Sequence, residues 1–277
     1  MRLRTLAAFV LAVAVLISTP VSDATAARNF GPRGAEYVSI GDSYIAAGSL
    51  TTSYDCNAPD DVGHLVASQL PGVSFADWSC GGSITSDIYT RSGKGAQVEG
   101  LSARTKYVSV STGGNDDDFF SDLATRCITS VLCTPATQRS AERKLDRLPG
   151  RLDAAYSAIR AHAPNAKVVV LGYLRALPTK AAGCFIDPIM GQRSVDAINR
   201  IQRRLNTIIG EAADRRGFSV VNLWSDAGHS ICAPDGQRYV SLTGIGPGDY
   251  GTPVHPTMAG RLHTATLLAE AFKNQYR

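Results

Sequence analysis

Short apolar runs alternate with longer amphipathic segments along most of the chain. The apolar runs are typical of buried β-strands, and they span Glu36–Ile40, Val73–Phe75, Tyr107–Ser111, Lys167–Leu171 and Ser219–Leu223. The amphipathic segments carry apolar side chains at helical spacing, and they span Val62–Leu70, Gln138–His162, Ser194–Arg216 and Thr257–Tyr276. Because strands and helices alternate, the sequence predicts an α/β domain in which a parallel sheet lies between two helical layers.

One predicted helix contains a break signal. Pro149-Gly150 falls inside the segment Gln138–His162. A proline within a helix removes one backbone hydrogen bond and its ring clashes with the preceding turn. We therefore expect this helix to break or kink near residue 149.

Polar residues suited to acyl transfer follow several of the strands. The first strand runs into Gly41-Asp42-Ser43, Gly82 follows the second strand, and Asn115 follows the third. Ligands of open parallel sheets bind at the carboxyl ends of the strands. His255 lies between two prolines just before the last helix. Together these residues offer a hydroxyl nucleophile, donors for an oxyanion and an imidazole base.

Each of these residues also has an ordinary structural explanation. Ser43 could simply cap the turn that follows it, Gly82 could be a turn glycine, and Asn115 could form an Asx turn. Asp116–Asp118 resemble a metal cluster, but we expect them to cap and charge the next helix. The remaining histidines are weaker candidates for the base, and they are His64, His162, His229 and His263.

The N-terminus has the pattern of a secretory signal peptide. Arg2 and Arg4 precede the apolar stretch Leu6–Ile17, and Ala24-Thr25-Ala26 is a small-residue cleavage signal. A membrane anchor is the alternative, but the apolar stretch is about 12 residues and a spanning helix needs about 20. We therefore predict a signal peptide over residues 1–26, one domain over 27–277, and a secreted protein, extracellular or associated with the cell envelope.

Charge gives no indication of a nucleic-acid partner. The chain of 277 residues has 28 basic and 24 acidic side chains, a formal net charge of +4. The basic residues are scattered rather than clustered into a stripe. We expect no nucleic-acid binding.

The cysteines predict three disulfides. Their number is even and all lie in the exported part of the chain, as is common in secreted proteins. We expect neighbours in sequence to pair, although the sequence leaves other pairings open, and the expected pairs are Cys56–Cys80, Cys127–Cys133 and Cys184–Cys232. A metal site is not expected, because there is no C-x-x-C pair and the histidines are scattered.

The candidate catalytic residues lie in four segments of the chain, and these are Gly41-Asp42-Ser43-Tyr44, Gly82, Gly113-Gly114-Asn115-Asp116 and His255-Pro256. In this order the four segments resemble the sequence blocks of the SGNH (GDSL-type) hydrolases. The resemblance implies a flavodoxin-like three-layer α/β/α sandwich with strand order 2-1-3-4-5. The secreted form with three disulfides resembles the actinobacterial lipases and phospholipases of this family.

The resemblance also implies a role for each matched residue. Ser43 would be the nucleophile and His255 the base. The backbone N–H groups of Ser43 and Gly82, with the Asn115 amide, would form the oxyanion hole. No metal and no organic cofactor is implied.

One position departs from the family pattern. Many members carry an aspartate three residues before the histidine, and here that residue is Thr252. Without the acid, another group must orient the imidazole. We expect a main-chain carbonyl of Thr252–Pro253 to do so, which makes Ser43 and His255 a dyad. Asp249 is the alternative acid.

The expected function is that of a secreted serine esterase or lipase acting through an acyl-enzyme. The expected substrate is a small-molecule or lipid ester, with transient contact to lipid surfaces and a monomeric protein. The residues expected to line the cleft are apolar, and they are Ile45, Leu50, Phe185, Ile186, Ile189, Met190, Trp224 and Tyr239. A carbohydrate O-deacetylase and a catalytically weak binding module are the alternatives. An α/β-hydrolase would need a G-x-S-x-G elbow, which we do not find.

Overall fold

A parallel sheet of five strands organises the domain in the order β2-β1-β3-β4-β5. The strands are β1 Tyr37–Gly41, β2 Phe75–Asp77, β3 Tyr107–Ser111, β4 Lys167–Leu171 and β5 Ser219–Val221. The helices are α1 Ser43–Ala46, α2 Val62–Ala67, α3 Phe119–Arg126, α4 Pro135–His162, α5 Asp187–Asp214 and α6 Met258–Lys273. Helix α2 packs against α6, and α4 against α5. The predicted three-layer α/β/α sandwich and its strand order are confirmed.

This computed structural model describes residues 31–49, 56–91, 94–127, 131–224, 227–246 and 251–274. The predicted signal peptide, Leu50 and Asp249 lie outside the described residues. Within them, no helix combines the length and the apolar character needed to cross a bilayer.

The sheet is held by a continuous apolar interior. Val108 and Val110 of β3 and Val168 and Val170 of β4 are almost wholly buried, as expected for central strands covered on both faces. β1 and β3 are in register from Tyr37–Tyr107 to Gly41–Ser111. The carboxyl ends of β1 and β3 therefore meet at one edge of the sheet.

Among the differences from the predicted elements, two concern β2 and α4. β2 begins at Phe75, two residues later than predicted, because the Val73 N–H bonds to the Leu70 carbonyl in the preceding turn. We predicted a break or a kink near Pro149, and the break is wrong, because α4 continues through Pro149 as one helix. Leu148 and Leu152, on either side of the proline, are fully buried, and this packing offsets the lost backbone hydrogen bond.

Helix α5 starts earlier than the apolar pattern predicted. It begins at Asp187 with a proline in its first turn, and only at Gly191 does the backbone leave helical geometry, with φ of 65°. The segment before Gly191 is thus a separate helical turn. We predicted that the helix begins at Ser194, because this turn does not extend the apolar stripe of the later helix, and its Ile189 side chain is more than half exposed.

Three disulfides join loops to the sheet edge and to helices. They connect Cys56 with Cys80, Cys127 with Cys133, and Cys184 with Cys232. The three predicted disulfides, each between cysteines that are neighbours in the sequence, are confirmed.

Candidate active site

The first strand ends directly beside β3, and this close approach places Ser43. At Gly41, where φ is 131°, an added Cβ atom would lie 2.1 Å from the Ser111 carbonyl oxygen, so only glycine fits. The next residue, Asp42, caps α1, and its Oδ1 accepts the Tyr44 N–H at 3.0 Å. Ser43 is therefore the first residue of a short helix at the carboxyl edge of the sheet.

The Ser43 hydroxyl meets the His255 imidazole. His255 Nε2 lies 2.6 Å from Ser43 Oγ, although the two residues are 212 positions apart in the chain. His255 Nδ1 lies 2.8 Å from the Pro253 carbonyl oxygen. Because a carbonyl only accepts hydrogen bonds, the proton is assigned to Nδ1, and Nε2 accepts from the serine.

A strained turn presents the histidine. Val254 has φ of 61°, a left-handed conformation that is rare for a β-branched residue. Its N–H donates to the Ser241 carbonyl at 2.7 Å, and its own carbonyl accepts from the Tyr44 hydroxyl at 2.9 Å. These bonds hold the turn, and the next residues pair with a short strand: β7, His255–Pro256, is antiparallel to β6, Val240–Ser241.

The imidazole is buried and has no carboxylate among its described hydrogen-bond partners. Burial lowers the pKa of His255 below its usual 6.5, while the Pro253 carbonyl acts in the opposite direction. The neutral form, which a general base requires, is thus favoured. Thr252 contributes its carbonyl to the His255 N–H at 3.3 Å.

The three predicted oxyanion donors lie on the segments that surround Ser43. The N–H groups of Ser43 and Gly82 have no acceptor among the described residues. The Asn115 amide donates to the Ser83 carbonyl at 2.9 Å, which ties it to the Gly82 loop and uses one of its two hydrogens. The second hydrogen remains for a ligand, and the role of all three in an oxyanion hole stays a prediction.

A tyrosine that the sequence analysis missed links these segments. The Tyr173 hydroxyl donates to Asp42 Oδ2 at 2.5 Å and accepts the Gly114 N–H at 2.7 Å. Burial raises the pKa of Asp42 to about 7, and the Tyr173 hydrogen bond opposes the rise. Tyr173 comes two residues after β4, so its position at the carboxyl edge was a signal that could have identified it.

Gln97 is a second missed residue. It is fully buried, its carbonyl oxygen accepts the Gly41 N–H at 2.6 Å, and its amide donates to the Gly41 carbonyl at 3.0 Å. The same amide reaches Ser83 Oγ at 3.0 Å. Gln97 therefore fastens the end of β1 to the loop that carries Gly82.

The three consecutive aspartates do not cap α3 with their side chains, contrary to our expectation. Asp116 accepts from the Thr85 hydroxyl at 2.6 Å. Asp117 forms ion pairs with Arg147 at 2.6 Å and with Arg151 at 2.9 Å. Asp117 instead joins the loop after β3 to α4, because two arginines of α4 face it, and Asp116 joins the same loop to Thr85.

An apolar cavity of about 460 Å³ opens beside the histidine. Phe120 stands between the two, with its ring centroid 6.3 Å from that of His255. The walls come from α3, α5, the loop after β4 and the histidine turn, and they include Phe119, Phe120, Leu123, Tyr173, Leu177, Met190, Ile198, Leu205, Leu242, Pro253 and Val254.

Most of the residues predicted to line the cleft do not line this cavity. Of those that the structure describes, Met190 alone is found in its wall. Ile45 and Ile186 are core residues, and Phe185 and Ile189 are exposed. Tyr239 stacks between two histidines, and Trp224 lies under two arginines. The prediction assigned the lining to loops, whereas α3 and α5 supply most of it.

Comparisons with known proteins agree with this architecture. Residues 39–261 match the model of the GDSL-like lipase/acylhydrolase family. Lipase 1 of Streptomyces coelicolor is 32% identical over 271 residues, which cover 94% of this chain and 96% of that protein. Lipase 2 of the same organism is 29% identical and covers 83% of each chain.

Two solved structures have a similar fold. The extracellular lipase of Streptomyces rimosus superposes with a TM-score of 0.69 at 28% identity, covering 86% of this chain and 99% of that one. The phospholipase A1 of Streptomyces albidoflavus NA297 has a TM-score of 0.67 at 32% identity, covering 86% and 98%.

Proposed function

Starting from the fact that this chain belongs to the GDSL-like lipase/acylhydrolase family, we propose that it is a secreted serine lipase or esterase that cleaves lipid esters through a Ser43–His255 dyad. The observation that carries the proposal is the 2.6 Å separation of Ser43 Oγ and His255 Nε2. A serine hydroxyl is a weak nucleophile until a base within hydrogen-bonding distance can take its proton.

The reaction follows from the positions of these groups. Ser43 Oγ attacks the ester carbonyl carbon while its proton passes to His255 Nε2. The Pro253 carbonyl, which accepts from Nδ1–H, stabilises the resulting imidazolium in place of a carboxylate. The N–H groups of Ser43 and Gly82 and the Asn115 amide hold the oxyanion. His255 then protonates the leaving alcohol, and water repeats the sequence to release the acid.

The apolar cavity supports a lipid acyl chain as the group transferred. Its walls are aromatic and aliphatic, and Phe120 and Val254 lie at the end nearest His255. A carbohydrate deacetylase would need a polar cleft with an aromatic platform. We therefore favour a fatty-acyl ester over an acetylated sugar.

Exposed apolar side chains near this cavity support transient contact with a lipid surface. Val131 is 78% exposed and Ile245 is 74% exposed. Val131 lies in the loop closed by the Cys127–Cys133 disulfide, and Cys127 lines the cavity. Ile245 follows Thr243 of the cavity wall by two residues. Exposed apolar residues beside a binding site are common where proteins meet membranes or lipid aggregates.

The disulfides support export. Three disulfides persist in oxidising compartments such as the cell exterior. The N-terminal signal-peptide pattern has the same implication. One chain supplies both members of the proposed dyad, so the proposed reaction needs no second subunit.

A chain-length series of p-nitrophenyl esters tests the proposal. Purified oxidised protein, with Ser43→Ala as the blank, should hydrolyse octanoate and longer esters with a higher kcat/KM than acetate. A fluorophosphonate probe should label the protein and fail to label Ser43→Ala. Labelling with a strict preference for acetate would favour the deacetylase, and no labelling would favour the binding module.

A cavity variant sharpens the test. Ala124 is a half-buried residue of α3 in the cavity wall, so Ala124→Phe should lower kcat/KM for the long esters and leave acetate nearly unchanged. Ala158→Phe adds the same ring to a half-buried site on α4 away from the cavity. It should affect all chain lengths alike.

A further inference from the structure

A second cluster of ionisable side chains lies between α2 and β2, apart from the residues proposed for catalysis. Asp61 caps the N-terminus of α2, His64 stands in its first turn, and Asp77 ends β2. One ligand-type atom from each residue lies within 4.8 Å of the other two. Asp61 is 0% exposed and Asp77 is 2% exposed.

Both carboxylates are only half satisfied. Asp61 Oδ1 accepts the His64 N–H at 2.8 Å and faces His64 Nδ1 at 3.0 Å. Asp77 Oδ1 accepts from the N–H and the hydroxyl of Ser79. The Oδ2 atoms of both aspartates are buried and have no hydrogen-bond partner within the described residues. Neither carboxylate pairs with a lysine or an arginine there.

A third buried oxygen, on Ser39, lacks a partner at the same place. Ser39 Oγ is fully buried and makes no hydrogen bond to any described residue. Ser39 is in register with Asp77 on neighbouring parallel strands, so the two side chains share one face of the sheet. On that face Ser39 contacts α2, because an added Cβ at Gly63 would lie 2.8 Å from its Oγ.

Two buried carboxyl groups lie close together in this cluster, and neither pairs with a lysine or an arginine of the described residues. An uncompensated charge in a protein interior is costly unless it is paired or coordinates a metal. A dication would neutralise both carboxylates at once.

We propose that Asp61, His64 and Asp77 form a structural binding site for one divalent transition-metal ion of the zinc type, with Ser39 beside it. Two carboxylates alone would favour calcium or magnesium, whereas an imidazole together with them favours zinc. Zinc bonds of about 2.0 to 2.2 Å require the ligand atoms to move closer together. The His64 side chain is 31% exposed, so it provides both the route of entry and the freedom to adjust.

Such an ion would fasten β2 to α2. The Cys56–Cys80 disulfide joins the loop before α2 to the loop after β2, so the ion would be a second fastening between the same two regions. Gly82 follows β2 by five residues, a count taken from the sequence. The ion would therefore stabilise the fold near Gly82, one of the proposed oxyanion donors. The proposed metal site does not depend on the proposed esterase activity.

Zinc titration of chelator-treated protein tests the proposal. Isothermal titration calorimetry should show one zinc ion bound per chain, and zinc should raise the unfolding temperature. Asp77→Asn should abolish both effects, and His64→Gln should weaken binding by at least about 10-fold. Asp87→Asn is the matched control: Asp87 is also a buried aspartate that accepts a backbone N–H, from Ile84, and its variant should respond to zinc as the parent does.

Two results would overturn the proposal. The first is that zinc produces no heat of binding and no change in unfolding temperature in the parent protein. In that case the two carboxyl groups share a proton instead. The second is a zinc response that survives in both Asp77→Asn and His64→Gln, which would assign binding to other histidines. The side-chain amide in Asp77→Asn can keep the acceptor role of Oδ1 toward Ser79, and if that variant does not fold, His64→Gln alone decides between these results.

Discussion

The two sides of the proposed dyad are held in different ways. Ser43 lies at the carboxyl edge of the central sheet, next to Asp42. Asp42 accepts a hydrogen bond from Tyr173, which lies in the loop after β4. His255 is oriented by the carbonyl of Pro253, two residues earlier, and by a strand pairing of two residues. The serine side is thus positioned by contacts between distant elements, whereas the imidazole ring is oriented by a carbonyl of its own turn, and Tyr44 and Ser241 hold that turn.

The hydrogen-bond acceptor on the histidine side is uncharged. His255 faces a neutral carbonyl at the position where many serine hydrolases have a carboxylate. A neutral acceptor stabilises an imidazolium less than a carboxylate does. The stabilisation of the transition state must therefore come largely from the donors around Ser43, and substitutions on the serine side should cost more than changes near the histidine turn.

The largest effect is expected from Asn115→Ala. Removing one oxyanion donor costs about 10²–10³-fold in kcat, and the fold should remain intact. Steady-state kinetics on a p-nitrophenyl ester measures the loss. Asn199→Ala is a matched control, because its amide also donates to a carbonyl, that of Pro178 at 2.8 Å, away from the site. An unchanged rate for Asn115→Ala would remove this residue from the mechanism.

Tyr173→Phe should have the next largest effect. Without the hydroxyl, Asp42 Oδ2 and the Gly114 N–H lose a partner, so kcat should fall by about 10-fold, equivalent to about 1.4 kcal/mol. Stability should fall by about 1–3 kcal/mol. Tyr156→Phe is the matched control, since the Tyr156 hydroxyl is buried and has no hydrogen-bond partner among the described residues.

Tyr173 is a positioning residue, and the two readouts separate its role. If Tyr173→Phe lowers stability but leaves kcat as it is in Tyr156→Phe, the tyrosine holds the fold and does not position the site.

The pH profile should show a smaller effect. His255 must be neutral to act as a base, and burial lowers its pKa. As pH falls, kcat/KM should therefore decline only below pH 6.5, the usual value of histidine. A midpoint at or above that value would indicate a carboxylate near the imidazole. It would contradict the interpretation that the uncharged Pro253 carbonyl orients His255.

The smallest effect is expected from Asp249→Ala. If the Pro253 carbonyl orients His255, most of the turnover should remain. A loss of about 10⁴-fold is the scale seen when a triad aspartate is removed. Such a loss would show that the Asp249 carboxylate, and not the Pro253 carbonyl, orients His255. The same ester assay measures it, with Ser43→Ala as the blank.

The sheet was predictable because its strands are apolar runs whose burial does not depend on any single partner. Lys167–Leu171 and Tyr107–Ser111 were predicted with their observed bounds. Ser43 was recognisable for a related reason, since its Gly-Asp-Ser sequence follows such a run directly. Patterns of this kind are local, so a single sequence is enough to identify them.

The rest depended on contacts between distant residues. Gln97 and Tyr173 belong to no recognisable sequence pattern, and only their partners Gly41 and Asp42 show what they do. The cavity was misplaced because the packing of α3 against the histidine turn decides which apolar residues line it. The continuation of α4 through Pro149 likewise reflects packing that local preference does not contain.

The 212-residue separation between the two members of the proposed dyad would make catalysis a late event in the folding of the chain. If the proposed dyad is correct, a polypeptide in which the His255 turn has not yet reached Ser43 has the hydroxyl but no base beside it, and so has no hydrolytic capacity. Recovery of ester cleavage during renaturation would therefore report arrival of the C-terminal segment, one of the longest-range steps of assembly. The proposed enzyme, exported before it folds, would therefore not act on the lipids of the cell that makes it.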